Sequence, residues 1–268
     1  TDNFESYAVG STPSPLWLDV APVVPLPPPG VNAPTPSSVV VTTTNAFGAP
    51  TQALQTSNSL GVAKGIYTAV PVSNVYSLSA DLRTLQYANT NALAAGPATD
   101  WSMQLTFARA GVQNFSSTPQ VGVYASSLTQ GWRLYLIANS GGPIDDFDLG
   151  LPAMLNTWYS VNFDFDAVNG IARSRISDTL TGNLLVDTTR QYAGWQEQFG
   201  LFDSIAFFGG EVAAESPSTA ISTTSPNIAM VDNINVQLAA VPVPGTLLLV
   251  LSGLGVLGCA SRRRMRNA

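Results

Sequence analysis

The chain has 268 residues, 45% of them hydrophobic and only 10% charged, with a formal net charge of −6, one cysteine and no histidine. The missing histidine removes the commonest general base, the usual transition-metal ligand and any Ser-His-Asp triad. The lone Cys259 removes a disulfide framework and any thiolate nucleophile before position 241.

All seventeen acids precede position 241, against Lys64 and six arginines, so seventeen negative charges meet seven positive ones and this body carries −10. A surface of that sign disfavours nucleic acid and anionic lipid. Ser, Thr, Asn, Gly and Pro fill the surface instead. Roughly 240 residues suffice for one large β domain or two small ones. The chain opens at Thr1 with neither Met nor leader, which reads as a trimmed chain or a fragment.

From the N-terminus, helical periodicity is nearly absent and short alternating runs recur between Gly, Pro, Asn and Ser clusters. Residues 22–36 are Pro-rich, with Pro27, Pro28 and Pro29 in succession, and read as an extended surface insertion. Strands are expected around 39–44 and 75–83. Met103, Leu105 and Phe107 then alternate with Ser102, Gln104 and Thr106. A strand at 120–125 follows, and Trp132, Leu134 and Leu136 alternate with Arg133 and Tyr135 before Ile137 breaks the polar face.

Asp145, Asp146 and Asp148 read as an acidic loop behind Gly141-Gly142-Pro143. Tyr159, Val161, Phe163 and Phe165 alternate with Ser160, Asn162, Asp164 and Asp166, and Trp132 and Trp158 are assigned to the core. Further strands are expected at 171–178, 184–188 and 204–208. Residues 211–227 form a Ser/Thr/Ala-rich excursion, and Ile228, Met230, Ile234, Val236 and Leu238 share one parity. About a dozen short strands at such spacing predict an all-β, two-sheet antiparallel sandwich over residues 1–240.

The opening Asp2-Asn3-Phe4-Glu5-Ser6-Tyr7 with Gly10 and Trp17, the middle run from Trp158 to Asp166, and the closing Val231-Asp232-Asn233-Ile234 resemble concanavalin-type, LamG-like jelly rolls. The resemblance implies a jelly-roll sandwich used by lectins, glycanases and spacer domains alike. It also implies a structural Ca²⁺ where the first and last strands meet, with Asp2, Glu5 and Asp232 as oxygen ligands. Asp232 has core parity, and a buried carboxylate needs a proton, a hydrogen bond or a metal; it equally suits a bulge or a cap on the Asn233 turn.

Asp164 and Asp166, two apart on one strand, point to one side. The retaining glucanases of this fold resemble a Glu-x-Asp-x-Glu pattern, which occurs nowhere in the chain, and two bare aspartates suit a solvated face. Trp195, in Gly194-Trp195-Gln196-Glu197-Gln198, is the candidate platform for stacking on a sugar, or else a pin for its loop.

The tail has its own grammar. Val241-Pro242-Val243-Pro244-Gly245-Thr246 precedes an uncharged apolar run over 247–261, and Arg262, Arg263, Arg264 and Arg266 follow. As a helix, 246–260 reaches ~22 Å of the ~30 Å hydrocarbon core, and snorkelling arginines close most of the gap. Basic residues beside a span prefer the cytoplasm, which puts the body outside.

This layout resembles the PEP-CTERM sorting signal, with Pro242-Val243-Pro244 where that family has Pro-Glu-Pro. The resemblance implies an exosortase-type membrane protease as partner, and transit through the membrane to the cell surface or extracellular matrix of a bacterium. The expected function is a non-catalytic surface or matrix protein associated with extracellular polysaccharide. A glycoside hydrolase or lyase of the same fold and a spacer without ligand remain as alternatives.

Overall fold

Strict alternation of buried and solvent-facing side chains along Val75–Gln86, with Tyr76, Leu78, Ala80 and Leu82 inward, makes this segment a strand with one face on a core. The same arithmetic holds over most of the computed structural model, which describes residues 1–19, 37–58, 64–73, 75–87, 101–108, 120–126, 129–137, 143–192, 202–209 and 227–238. All regular elements among them are strands.

One seven-stranded sheet runs, in spatial order, β1 (Leu18–Asp19), β4 (Lys64–Ala69), β13 (Ser204–Gly209), β6 (Trp101–Ala108), β7 (Gln120–Ser126), β8 (Gly131–Ile137) and β9 (Pro143–Pro152). The other runs β12 (Leu184–Gln191), β11 (Ile171–Asp178), β10 (Trp158–Asp166), β5 (Val75–Gln86), β14 (Asn227–Leu238), β3 (Pro50–Asn58) and β2 (Ser37–Thr44). Every pairing is antiparallel. The expected all-β, two-sheet antiparallel sandwich is therefore what the residues build. The helix expected at 247–261 lies outside the described residues.

The last two strands are interleaved with earlier ones: β13 slots between β4 and β6, and β14 between β3 and β5. Inward residues of both sheets form one core, in which Tyr76 meets Phe107 at 5.0 Å between centroids, Phe107 meets Phe163 at 5.8 Å and Phe165 meets Phe202 at 5.6 Å. Trp132 is fully buried edge-on to Tyr159, as its parity predicted.

The structure adds to or departs from the expected elements at four places. Strands β3 and β4 occupy segments not among those expected as strands; Pro50–Asn58 is mostly Thr, Gln and Ser with little apolar contrast. Asp145, Asp146 and Asp148 belong to strand β9 rather than a loop; Phe147, Leu149 and Leu151 pack on the core with the alternate parity. Trp158 is buried as expected, and it packs on the opposite face of its sheet from Tyr159, in a small cluster with Ala53 and Met230.

Finally, β14 does not keep one parity. A bulge between Asp232 and Asn235, with Asn233 at φ 53°, inserts one extra residue. Ala229 and Val231 therefore face the main core before the bulge and Ile234 after it, while Met230 turns to the other face.

Candidate functional site

The opening segment reaches the last strand through one bridge, Asp2 to Ile234, where the Asp2 N–H donates to the Ile234 carbonyl at 2.7 Å. Beyond that bridge it turns instead of continuing as a strand, and Phe4 takes φ 59° while fully buried. The Asp2 carboxylate accepts from the Phe4 N–H at 2.9 Å, the Tyr7 hydroxyl at 3.0 Å and the Trp17 indole at 2.7 Å. Burial, with the Asp2 contact added, pushes the Tyr7 phenol up to about 12.

Glu5 and Asp232 lie elsewhere, around Thr51. Its hydroxyl stands 2.8 Å from Glu5 Oε1 and 3.3 Å from Asp232 Oδ2. The Gln52 N–H also donates to Glu5 at 2.8 Å, and with the Thr51 contact it holds the Glu5 carboxyl below its usual range. Asp232 is 4% exposed and accepts from the Asn233 N–H at 2.7 Å. Burial pushes it up to about 6; the Asn233 N–H and the Thr51 hydroxyl pull the other way, and the charges of Asp81 and Glu5 add to the rise.

Asp2 thus accepts from the Phe4 N–H and two aromatic donors, while Glu5 and Asp232 converge on Thr51. Among the described residues no group of three His, Cys, Asp or Glu is placed to hold a metal ion.

A second constellation lies on the face of β6–β9 turned away from the core. Positions alternate with the core residues, so Gln104 and Thr106 on β6, Tyr124 on β7, Arg133 and Tyr135 on β8 and Asp146 and Asp148 on β9 share this face. The Gln104 amide donates to the Tyr135 hydroxyl. Gly122 stands in register between Thr106 and Tyr135; the bare backbone there lets the Tyr135 ring cross β7 to reach β6. A Cβ on Gly122 would lie 2.2 Å from the Leu105 carbonyl oxygen.

Tyr124 packs edge-on to Tyr135 at 5.6 Å and donates to the Asp146 carboxylate at 3.0 Å. Arg133 Nε donates to Asp146 at 2.7 Å, and its Nη1 lies 3.4 Å from Asp148. Burial works against the Arg133 charge, but the Asp146 contact outweighs it and raises the guanidinium pKa above its ordinary value. Burial also drives the Tyr135 phenol far upward, against the pull of Thr106 and Gln104, so it stays protonated. The tyrosine end is buried, while the side chain of Asp148 is 57% exposed. The hydroxyls and the amide at the buried end are engaged with one another and with Asp146, and the part that reaches solvent is the guanidinium with its two carboxylates.

The remaining candidates separate. Asp164 accepts from Ser77 at 2.6 Å and pairs with Arg175 at 2.7 Å. Asp166 instead closes the β10–β11 turn, accepting from the N–H groups of Val168 and Asn169. The two aspartates are engaged separately, one by Ser77 and Arg175 and the other by the turn. Trp195 and the tail residues Pro242, Val243, Pro244, Gly245, Arg262, Arg263, Arg264 and Arg266 lie outside the described residues. The β6–β9 face was not picked out from sequence, although Gln104, Tyr124 and Tyr135 recur at outward positions of three successive strands.

Comparison with family profiles finds no match, and neither does comparison with curated proteins. Among solved structures, the chain is similar to the exoplasmic/lumenal domain of VIP36 in a Ca²⁺/Man3GlcNAc-bound form, at 7% identity over 85% of this chain and 89% of that one, TM-score 0.48. It is similar to arcelin-5, a lectin-like defence protein from Phaseolus vulgaris, at 9% identity over 85% and 95%, TM-score 0.47. A sialidase matches at 11% identity over 75% of this chain but 17% of its own length, TM-score 0.43. Likeness of this degree speaks to neither ligand nor activity.

Proposed function

We propose that the chain is an exported, non-catalytic protein of the bacterial cell surface or extracellular matrix, a jelly-roll sandwich that touches polysaccharide through the outward face of β6–β9. The observation that supports glycan contact is the partly exposed Arg133–Asp146–Asp148 assembly. At the solvent-reaching end of this face a guanidinium and two carboxylates suit the vicinal hydroxyls of a sugar, while the buried Tyr124, packed on Tyr135, holds Asp146 in place from behind. A non-catalytic role fits the described acids, since Asp145, Asp146, Asp164 and Asp187 each engage an arginine and Asp166 closes a turn.

Export rests on the tail: the Pro242-Val243-Pro244-Gly245 motif, the apolar run and the terminal arginines fit handover to an exosortase-type protease. Saturable binding of the purified chain to one of a panel of bacterial and plant polysaccharides, without release of reducing ends or unsaturated sugars, is the expected result. Product release would make the protein a hydrolase or lyase. Mass analysis of protein from its native host tests the tail: a terminus near Pro244 or Gly245 is expected, and retention of Arg266 would refute cleavage.

A further inference from the structure

Four of the described arginines hold an aspartate: Arg133 holds Asp146 and Asp148, Arg173 Asp187, Arg175 Asp164 and Arg190 Asp145. Arg83 has no ion pair and no hydrogen bond through its guanidinium among the described residues, in a body with ten more acids than bases. It stands on β5, in register with Trp158 on β10 and Met230 on β14. Its Cζ lies 5.7 Å from the centre of the Trp158 ring.

The Arg83 Nε is buried without an acceptor, and a buried donor left unpaired is unfavourable until something accepts from it. The acid two residues along on the same face, Asp81, is already occupied by the Ser160 hydroxyl at 2.5 Å and the Asn233 amide at 2.8 Å. Trp158, Met230 and the packed Leu85 supply an apolar flank.

We propose that Arg83 anchors a second site, on the sheet opposite the β6–β9 face, for the carboxylate of an acidic sugar. A guanidinium fork matches the two oxygens of a carboxylate, and the apolar flank takes the ring C–H groups. One cation in an acidic body suits an anion that carries a single charge per sugar better than a dense polyphosphate. The sugar as source of the carboxylate rests on the glycan reading above; the anion site does not.

The test titrates the full chain and its Arg83→Gln and Arg83→Lys variants with polygalacturonate, monomeric galacturonate, a neutral glucan, acetate and sulfate, by calorimetry, with unchanged melting curves as the check on folding. Polygalacturonate binding that weakens about tenfold or more in Arg83→Gln and also falls in Arg83→Lys, which keeps the charge but not the fork, is the expected result. Neutral-glucan binding with no response to either uronate overturns the Arg83 site and leaves the glycan reading standing. Galacturonate binding without binding of any polysaccharide supports the site and removes the glycan reading. Acetate or sulfate binding as tightly as galacturonate overturns the assignment to a sugar.

Discussion

Arg190 Nε donates to Asp145 at 2.7 Å, and the two residues stand on the edge strands of opposite sheets, β12 and β9. The guanidinium also lies 4.2 Å from the centre of the Phe147 ring. One side chain therefore clamps the sandwich edge through an ion pair and a cation–π contact.

Arg190→Ala is expected to cost about 1 kcal/mol, since the pair is partly exposed and partly screened. Urea unfolding of the two single variants and the double variant Arg190→Ala/Asp145→Ala measures the coupling, which should shrink with added salt. Strictly additive losses would show that the ion pair contributes nothing to the clamp.

Gly122→Ala tests the close approach beneath Tyr135. The new methyl would meet Leu105 backbone oxygen at 2.2 Å and Thr106 Cα at 2.9 Å, and backbone in the middle of a sheet has nowhere to go. A loss of ~3 kcal/mol or failure to fold is expected. Wild-type unfolding behaviour would mean that β6 and β7 separate easily.

Asp232 gives the protein a pH dependence of unusual sign for a carboxylate. Its folded pKa of about 6 lies above the unfolded value of ~3.9, so the folded state holds the proton more tightly across that interval. Its contribution to stability falls as pH rises from about 4 to 6 and stays low above. Asp166, Asp178 and Asp187, with depressed values, act oppositely and lose stability as pH drops below the unfolded range. Asp232→Asn isolates the first effect: relative to wild type, it should gain stability between pH 4 and 7. A flat difference curve would refute the assignment.

Chelator distinguishes a metal-filled strand junction from a hydrogen-bonded one. With Asp2 held by Tyr7 and Trp17, excess EDTA is expected to leave the melting temperature unchanged, whereas Asp2→Asn should lower it by weakening both aromatic contacts. A drop in melting temperature with EDTA, reversed by Ca²⁺, would restore a metal to the junction.

The two-sheet architecture was legible because alternation in β6, β8 and β10 reports burial directly. It failed where burial is two-sided or where the period slips. Ala53 and Leu54 are both buried, on opposite faces of β3, which erases the contrast. The bulge at Asp232 shifts β14 by one residue, and periodicity carries no trace of a bulge until the φ of Asn233 is known. Acids drew attention because they are acids, yet Asp145, Asp146, Asp148, Asp164 and Asp187 are occupied by arginines on other strands. That pairing is a tertiary fact, and so is its complement, the arginine left over among the described residues, Arg83.

The interleaving of β13 and β14 also imposes an order in time. On a chain emerging N-terminus first, β3 and β5 each lack a neighbour on one side until Asn227–Leu238 has appeared, and β4 and β6 wait likewise for Ser204–Gly209. Neither sheet closes until nearly all of the sandwich has been delivered. Such long-range pairing folds slowly, so the unfinished halves travel as open edges, and the residues that complete them come immediately before the apolar tail.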